Sequence, residues 1–237
     1  MKHYSFSEEL PSDKGELHVL VEVGEATILP HDDPHGRSIT IEADLRHMTI
    51  DVTRQDNVVS VRVEQEDKDW LQKLGRLFSS EGHPKATVVI HVPRTCTVYA
   101  KTITGQMRIS DIDAPVTATV VTGRNELANI GARIDARTTT GDVRYDGLLV
   151  NDHHRFEATT GSVRLNLPKE PNAQFDGRVI TGSVHCDFSL AQSQINKALT
   201  GNHVKGILGS GEGMIKAQVI TGSLRVQKTK SKEAVSA

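Results

Sequence analysis

Two short histidine–aspartate runs hold the densest concentration of groups able to do chemistry. His31-Asp32-Asp33-Pro34-His35 offers two imidazoles and two carboxylates in five residues, donors that suit a transition metal. The same residues make an ordinary polar turn around Pro34, and that is the reading adopted. Asp152-His153-His154 is similar, with His154 expected inside the fold as a hydrogen-bonded core or corner histidine. Gly206-Ile207-Leu208-Gly209-Ser210-Gly211-Glu212-Gly213 invites a phosphate-loop reading. It lacks the Gly-Lys-Ser/Thr ending and the strand–loop–helix setting that such a loop needs, so it reads as a flexible connection. No Ser sits in a nucleophile-elbow motif. The chain is therefore read as a non-enzyme, with no catalytic, cofactor or metal residue assigned.

The charged residues that recur at fixed spacing are more informative. Arg108, Arg144, Arg164 and Arg225 share one position relative to a recurring Thr-Gly pair, and Lys101, Arg137, Arg178 and Lys197 share another. If the units stack, like charges approach one another, which costs energy unless acids or an anion offset it. Asp135, Asp142, Glu157 and Asp176 are available for that. The leading reading is thus a charge-mixed solvated face; the alternative makes Arg108, Arg144, Arg164, Arg225, Lys101, Arg137 and Arg178 candidates for a partner surface facing a protein, an anionic polymer or lipid headgroups. A net charge of −2 gives no global field for nucleic acid.

These stripes depend on the element that repeats. Thr-Gly occurs at Gly105, Gly123, Gly141, Gly161, Gly182, Gly201 and Gly222, with steps of 18 to 21 residues, a period typical of stacked-repeat folds. Seven, five and three residues before each glycine stand mainly apolar or small side chains, such as Val98, Ala100 and Thr102. Two and four after it stand Met107 and Ile109 and their equivalents. Strand alternation cannot pass from minus three to plus two without a corner, and glycine supplies the backbone freedom for one. Each unit reads as strand, Thr-Gly corner, strand, connection. Stacking then buries what one unit cannot. The sixth unit departs from the pattern: Gln194, Asn196, His203 and Lys205 fall on inward positions, so that rung is expected to be distorted or looped out.

The expected fold is all-β, a β-solenoid or β-helix-like stack with one short helical insertion. Residues 1–98 form an irregular β cap, 99–227 the Thr-Gly repeat solenoid and 228–237 a disordered tail. Strands are expected at Leu17–Val23, Ser38–Ala43, Met48–Thr53, Val58–Val63 and Thr87–Val92, with Gly24 as one more corner. The helical insertion covers 69–78, where Trp70, Leu71, Leu74, Leu77 and Phe78 follow helical spacing. Trp70, Leu74, Leu77 and Phe78 either cap the array or face a membrane or partner. Cys96 and Cys186, the only cysteines, are expected as buried free thiols four rungs apart. The first residues carry no secretory h-region, and no apolar run reaches the length of a membrane-spanning helix, which points to the cytoplasm.

The strand Thr87–Val92 ending at Pro93, followed by Thr139-Thr140-Gly141-Asp142-Val143-Arg144, Thr159-Thr160-Gly161-Ser162-Val163-Arg164 and Ile180-Thr181-Gly182-Ser183-Val184, resembles the bacterial DUF4097 family of β-strand-repeat proteins. The resemblance runs from about Leu17 to Val226. It implies a β-solenoid-like fold, an adhesin-like label and, for some members, association with the cell envelope. The leading functional reading is a non-enzymatic scaffold or interaction module. A membrane-surface accessory protein in envelope homeostasis is the alternative, and a carbohydrate-active enzyme ranks below both. Peripheral membrane contact and homo-oligomers through the open ends of the stack are further expectations.

Overall fold

The computed structural model describes residues 1–12, 14–31, 36–66, 83–198 and 201–229. The segment 69–78, with Trp70, Leu74, Leu77 and Phe78, lies outside the described residues, as do Asp32, Asp33, Pro34 and His35. Fourteen strands occur among the described residues: β1 (Lys2–Glu9), β2 (Glu16–Pro30), β3 (Ser38–Arg46), β4 (Met48–Gln55), β5 (Val58–Gln65), β6 (Lys85–Val92), β7 (Thr97–Ser110), β8 (Val116–Ala128), β9 (Ile134–Asp146), β10 (His153–Leu167), β11 (Ala173–Cys186), β12 (Ala191–Ala198), β13 (Gly201–Leu208) and β14 (Gly213–Lys228). All five strands expected in the first 98 residues are present. The charged β1, with only Tyr4 and Phe6 as large apolar residues, was not anticipated.

The repeats form one parallel ladder in the order β2-β7-β8-β9-β10-β14-β11. Throughout it glycine stands opposite glycine: Gly24, Gly105, Gly123, Gly141, Gly161, Gly222 and Gly182. At each corner φ lies between 130° and 144°, a region essentially reserved for glycine. A second restriction is steric. A Cβ on any of these glycines would stand less than 3.0 Å from the carbonyl oxygen of the neighbouring rung, for example Gly105 against Gly24 and Gly123 against Gly105. The corner therefore needs glycine both for its torsion angles and for the close approach of the rungs.

The corner divides each rung into two arms whose inward residues share one core. Before it, Val98, Ala100 and Thr102 and their equivalents are buried; after it, Met107, Ile109, Val143, Tyr145, Val163 and Leu165 are buried. Asn125, in the same inward column, is 0% exposed. Its amide donates to the Ala118 carbonyl at 2.8 Å, which satisfies one polar group that burial would otherwise penalise. Ile112, Ile130, Leu149 and Leu167, from or next to the connections, join the same cluster. Tyr145 donates its hydroxyl to the Leu148 carbonyl and packs against Phe156 at 5.9 Å between ring centroids. At the N-terminal end, β5 pairs with the first arm of β2 and β6 with its second arm, so the two arms are extended by separate strands.

Two features depart from a simple stack. The last strand, β14, does not follow β11 but lies between β10 and β11, parallel to both. The sixth unit makes no rung. Its β12 and β13 form an antiparallel hairpin, and β13 pairs antiparallel with the first arm of β11. Gly201 has φ 141°, like the corners, but a Cβ there would meet Val179 O at 3.3 Å, so no rung packs closely on it. With Gln194, Asn196, His203 and Lys205 on its inward positions, the unit has too little apolar surface to hold a place in the core.

The inserted β14 also changes the expectation for the cysteines. Cys96 and Cys186 are both free, but β14 adds a strand between their rungs, so five ladder steps, about 24 Å, separate them. Cys96 is buried, while Cys186 is half-buried, because beyond it the second arm of β11 pairs with no further strand among the described residues. Burial pushes the Cys96 thiol up to about 12. The glycine corners give a direct test. Gly123→Ala should lose about 3 kcal/mol or more of unfolding free energy in urea titrations, and Gly201→Ala clearly less. Equal losses would contradict a stacking role for the corner.

Candidate functional site

The parallel register decides which charged side chains become neighbours. In the first arm, the column four residues before glycine reads Lys101, Thr119, Arg137, Glu157, Gln218, Arg178 and then His203 of β13. Neutral and acidic residues thus separate the cations grouped in the sequence. Arg137 is held bidentately by Asp135 at 2.7 Å for both contacts, with Glu157 at 3.9 Å. The hydrogen bonds that Arg137 donates to Asp135 strengthen the guanidinium's hold on its proton. Lys101 and Arg178 stand exposed and apart. Lys197 belongs to the hairpin strand β12 and opposes Asn202, so it joins no such column.

The second arm does the opposite. Three residues after glycine the column reads Thr27, Arg108, Glu126, Arg144, Arg164, Arg225 and His185. Four successive rungs from β9 to β11 therefore carry an arginine or histidine on one outer face, about 4.8 Å apart. In chain order Arg164 would adjoin His185; the inserted β14 places Arg225 between them. Arg108 contacts Glu126 at 3.0 Å, Arg144 contacts Asp146 at 2.6 Å and His185 contacts Asp187 at 2.8 Å. Arg164 and Arg225 have no ion pair or hydrogen bond among the described residues. Two guanidinium groups on adjacent strands without a carboxylate between them repel one another.

The row next to this column supplies hydroxyls. Ser162, Ser223 and Ser183 are aligned across β10, β14 and β11. Ser162 donates its hydroxyl to Asp142 at 2.6 Å. A shallow cavity of about 160 Å³ opens where Arg124, Asp142, Arg144, Ser162 and Arg164 meet. Guanidinium groups on adjacent rungs suit phosphate, sulfate or carboxylate groups, and the acids Glu126 and Asp142 share that cavity.

The other sequence candidates separate. His31 lies 3.1 Å from the Ser38 hydroxyl and its ring is 5.7 Å from that of His91. No group of three or more His, Cys, Asp or Glu side chains among the described residues is placed to hold a metal. His154 is 2% exposed and Nε2 is 2.8 Å from the Val150 carbonyl, in agreement with the core reading. The glycine-rich run is not one flexible connection: Gly206–Leu208 belongs to β13, and only 209–212 turn the chain before β14. Sequence reasoning missed the adjacency of Arg164 and Arg225, and no signal could have revealed it, because every regular unit presents the same ladder.

The pairing of Arg164 with Arg225 across β10 and β14 carries a stability consequence. Arg225→Gln should raise the melting temperature at low salt, by an amount equivalent to a few tenths of a kcal/mol, and the gain should vanish at high salt. A lower melting temperature at low salt would mean the pair is not repulsive. His154 gives a pH test. Burial lowers its pKa below the ordinary histidine value, so the folded state favours the neutral ring. That stabilisation is complete above the unfolded histidine pKa of about 6.5 and is lost as pH falls below it. The urea midpoint should drop between pH 7.5 and pH 5, values chosen about one unit or more to either side of that pKa, and His154→Gln should flatten the decline. An unchanged slope in the variant would assign the effect elsewhere.

The model of the family described as Toastrack DUF4097 matches residues 97–227. No curated protein matches the chain. Among solved structures, a candidate cell adhesion protein from Clostridium sporogenes ATCC 15579 is similar at 11% identity, with 96% of this chain and 100% of that chain covered and a TM-score of 0.48. A candidate adhesin from Bacteroides fragilis NCTC 9343 is similar at 10% identity, with 95% and 97% covered and a TM-score of 0.45. A candidate lipid-binding protein from Parabacteroides distasonis ATCC 8503 is similar at 9% identity over 95% and 97%, with a TM-score of 0.36.

Proposed function

This chain belongs to the Toastrack DUF4097 family, and from that premise we propose that it is a non-enzymatic display scaffold that binds an anionic polymer across the Arg144–Arg164–Arg225–His185 ladder. The observation that carries this reading is the adjacency of Arg164 and Arg225 on β10 and β14, two arginines with no acid among the described residues between them. An anion laid over both replaces repulsion with two charge-assisted contacts. The four rungs span about 14 Å, more than a single phosphate or carboxylate covers. A chain carrying several anionic groups and crossing the strands fits that length. On β9, β10 and β14 the inward residues beside the ladder, Val143, Tyr145, Val163, Leu165, Leu224 and Val226, are buried, so little backbone ordering opposes binding.

Binding of this kind weakens steeply with salt. The wild-type protein should be retained on dextran sulfate at low salt and pass through unsubstituted dextran. The Arg164→Gln, Arg225→Gln double variant should elute at markedly lower salt, and Lys101→Gln, on the other arm, should elute like the wild type. No retention at low salt, or retention equal in the wild type and the arginine double variant, would overturn the reading.

A further inference from the structure

The sixth unit holds a second feature, on the outer face of the other arm. There the hairpin β12–β13 lies beside β11 and β14, and a groove of about 590 Å³ opens over the four strands. The volume is in the range of small-ligand sites. Cross-strand register builds it from two rows. One row runs Gln194, Lys205, Asp176, Lys216 from β12 to β14; the next contains Ile207, Gln174 and Met214.

Three observations set this groove apart from an ordinary solvated face. First, its polar residues Gln192, Gln194 and Lys205 belong to the unit that gave up its place in the core, and they face Gln174, Asp176 and Lys216 of β11 and β14. Gln194 and Lys205 occupy positions that are apolar in most other units, and the antiparallel hairpin turns them outward. Second, β12 is bulged between Ala191 and Gln194, and within the bulge Gln192 has φ 50°, a conformation uncommon for a residue with a Cβ. Bulges re-aim side chains, and Gln192 lines the groove. Third, Met214 is 39% exposed, with Gln174 beside it on β11 and Ile207 one strand further on, so apolar and amide side chains alternate across this row. Gly206, where a Cβ would meet Leu190 Cβ at 2.8 Å, keeps that part of the hairpin close to its support.

We propose that this groove is a binding site for a neutral saccharide chain, separate from the cationic ladder and independent of it. Sugar hydroxyls are both donors and acceptors, and the rim offers both: amides that donate and accept, lysines that only donate, and a carboxylate that only accepts. Asp176 is fixed for that role. Burial alone would raise its pKa, but the hydrogen bond from His203 at 2.7 Å and the charge of Lys205 at 3.4 Å outweigh burial and hold it ionised. The C–H face of one sugar ring covers the exposed Met214 side chain, which water hydrates poorly, and the Gln174 amide beside it meets the hydroxyls of that ring.

The test is equilibrium binding of the full-length protein to soluble starch, a mannan and a mixed-linkage β-glucan immobilised on a sensor surface, at low and at high salt. At least one should bind, with an affinity that salt leaves nearly unchanged. Gln174→Ala, Gln194→Ala should weaken it about tenfold without altering the melting temperature, and Arg164→Gln, Arg225→Gln should leave it unaffected. Met214→Asp, on a different strand, is a second variant should the glutamine pair perturb folding. Absence of binding to all three polysaccharides, or full binding by both the glutamine and Met214 variants, would overturn the site. Binding abolished by salt and by the arginine variant would transfer it to the ladder.

Discussion

Backbone contact at the Thr-Gly corner is the constraint on which the rest of the structure depends. Each corner glycine stands opposite the next, with so little space that a Cβ would fall closer than 3.0 Å to a neighbouring carbonyl oxygen. That proximity fixes the register of every rung, since a slip of one residue would put a Cβ into the gap and turn each arm inside out. Once register is set, the inward columns follow. Val, Ala and Thr before the corner and Val, Leu, Met and Tyr after it meet in one core. The outward columns become straight files of side chains about 4.8 Å apart.

A ladder built from equivalent rungs has a further property: any rung can neighbour any other. The chain uses this when β14 enters between β10 and β11 and satisfies both sides in register. The core is indifferent to the order, because Leu224 and Val226 serve as well as Val163 and Leu165. The surface is not. Insertion places Arg225 beside Arg164, whereas in the first arm the same rearrangement puts Gln218 between Glu157 and Arg178. One reordering therefore concentrates charge on one arm and disperses it on the other. The hairpin of the sixth unit is the counterpart: too polar to be buried, it extends the first arm only, and leaves Cys186 and the second arm of β11 at an edge.

What was legible in the sequence follows from physical locality. The Thr-Gly period, the phase change across it and the alternation of Val98, Ala100 and Thr102 are properties of one strand and its own corner, so they specify the all-β rung and the inward and outward columns. Gly24 was identifiable as a corner for the same reason. The sixth unit announced itself through Gln194, Asn196, His203 and Lys205, because polar residues on inward positions cannot be buried without partners. The parallel direction of the strands and the neighbours of each rung were not legible. They depend on pairings between distant segments, and the backbone contacts made by one Thr-Gly unit are the same with any partner.

The sequence by itself thus determined the rung: which residues turn inward, where the chain bends, and which unit cannot be a rung. Only the tertiary structure decided the order of the rungs, and with it that Arg164 and Arg225 adjoin, that Asp176 meets His203 and Lys205, and that the amides of the sixth unit face a groove. The reason is that local alternation and steric exclusion are encoded residue by residue. The choice among interchangeable neighbours is made by the lengths of the connections and by the total burial of the assembled core, which no single repeat contains.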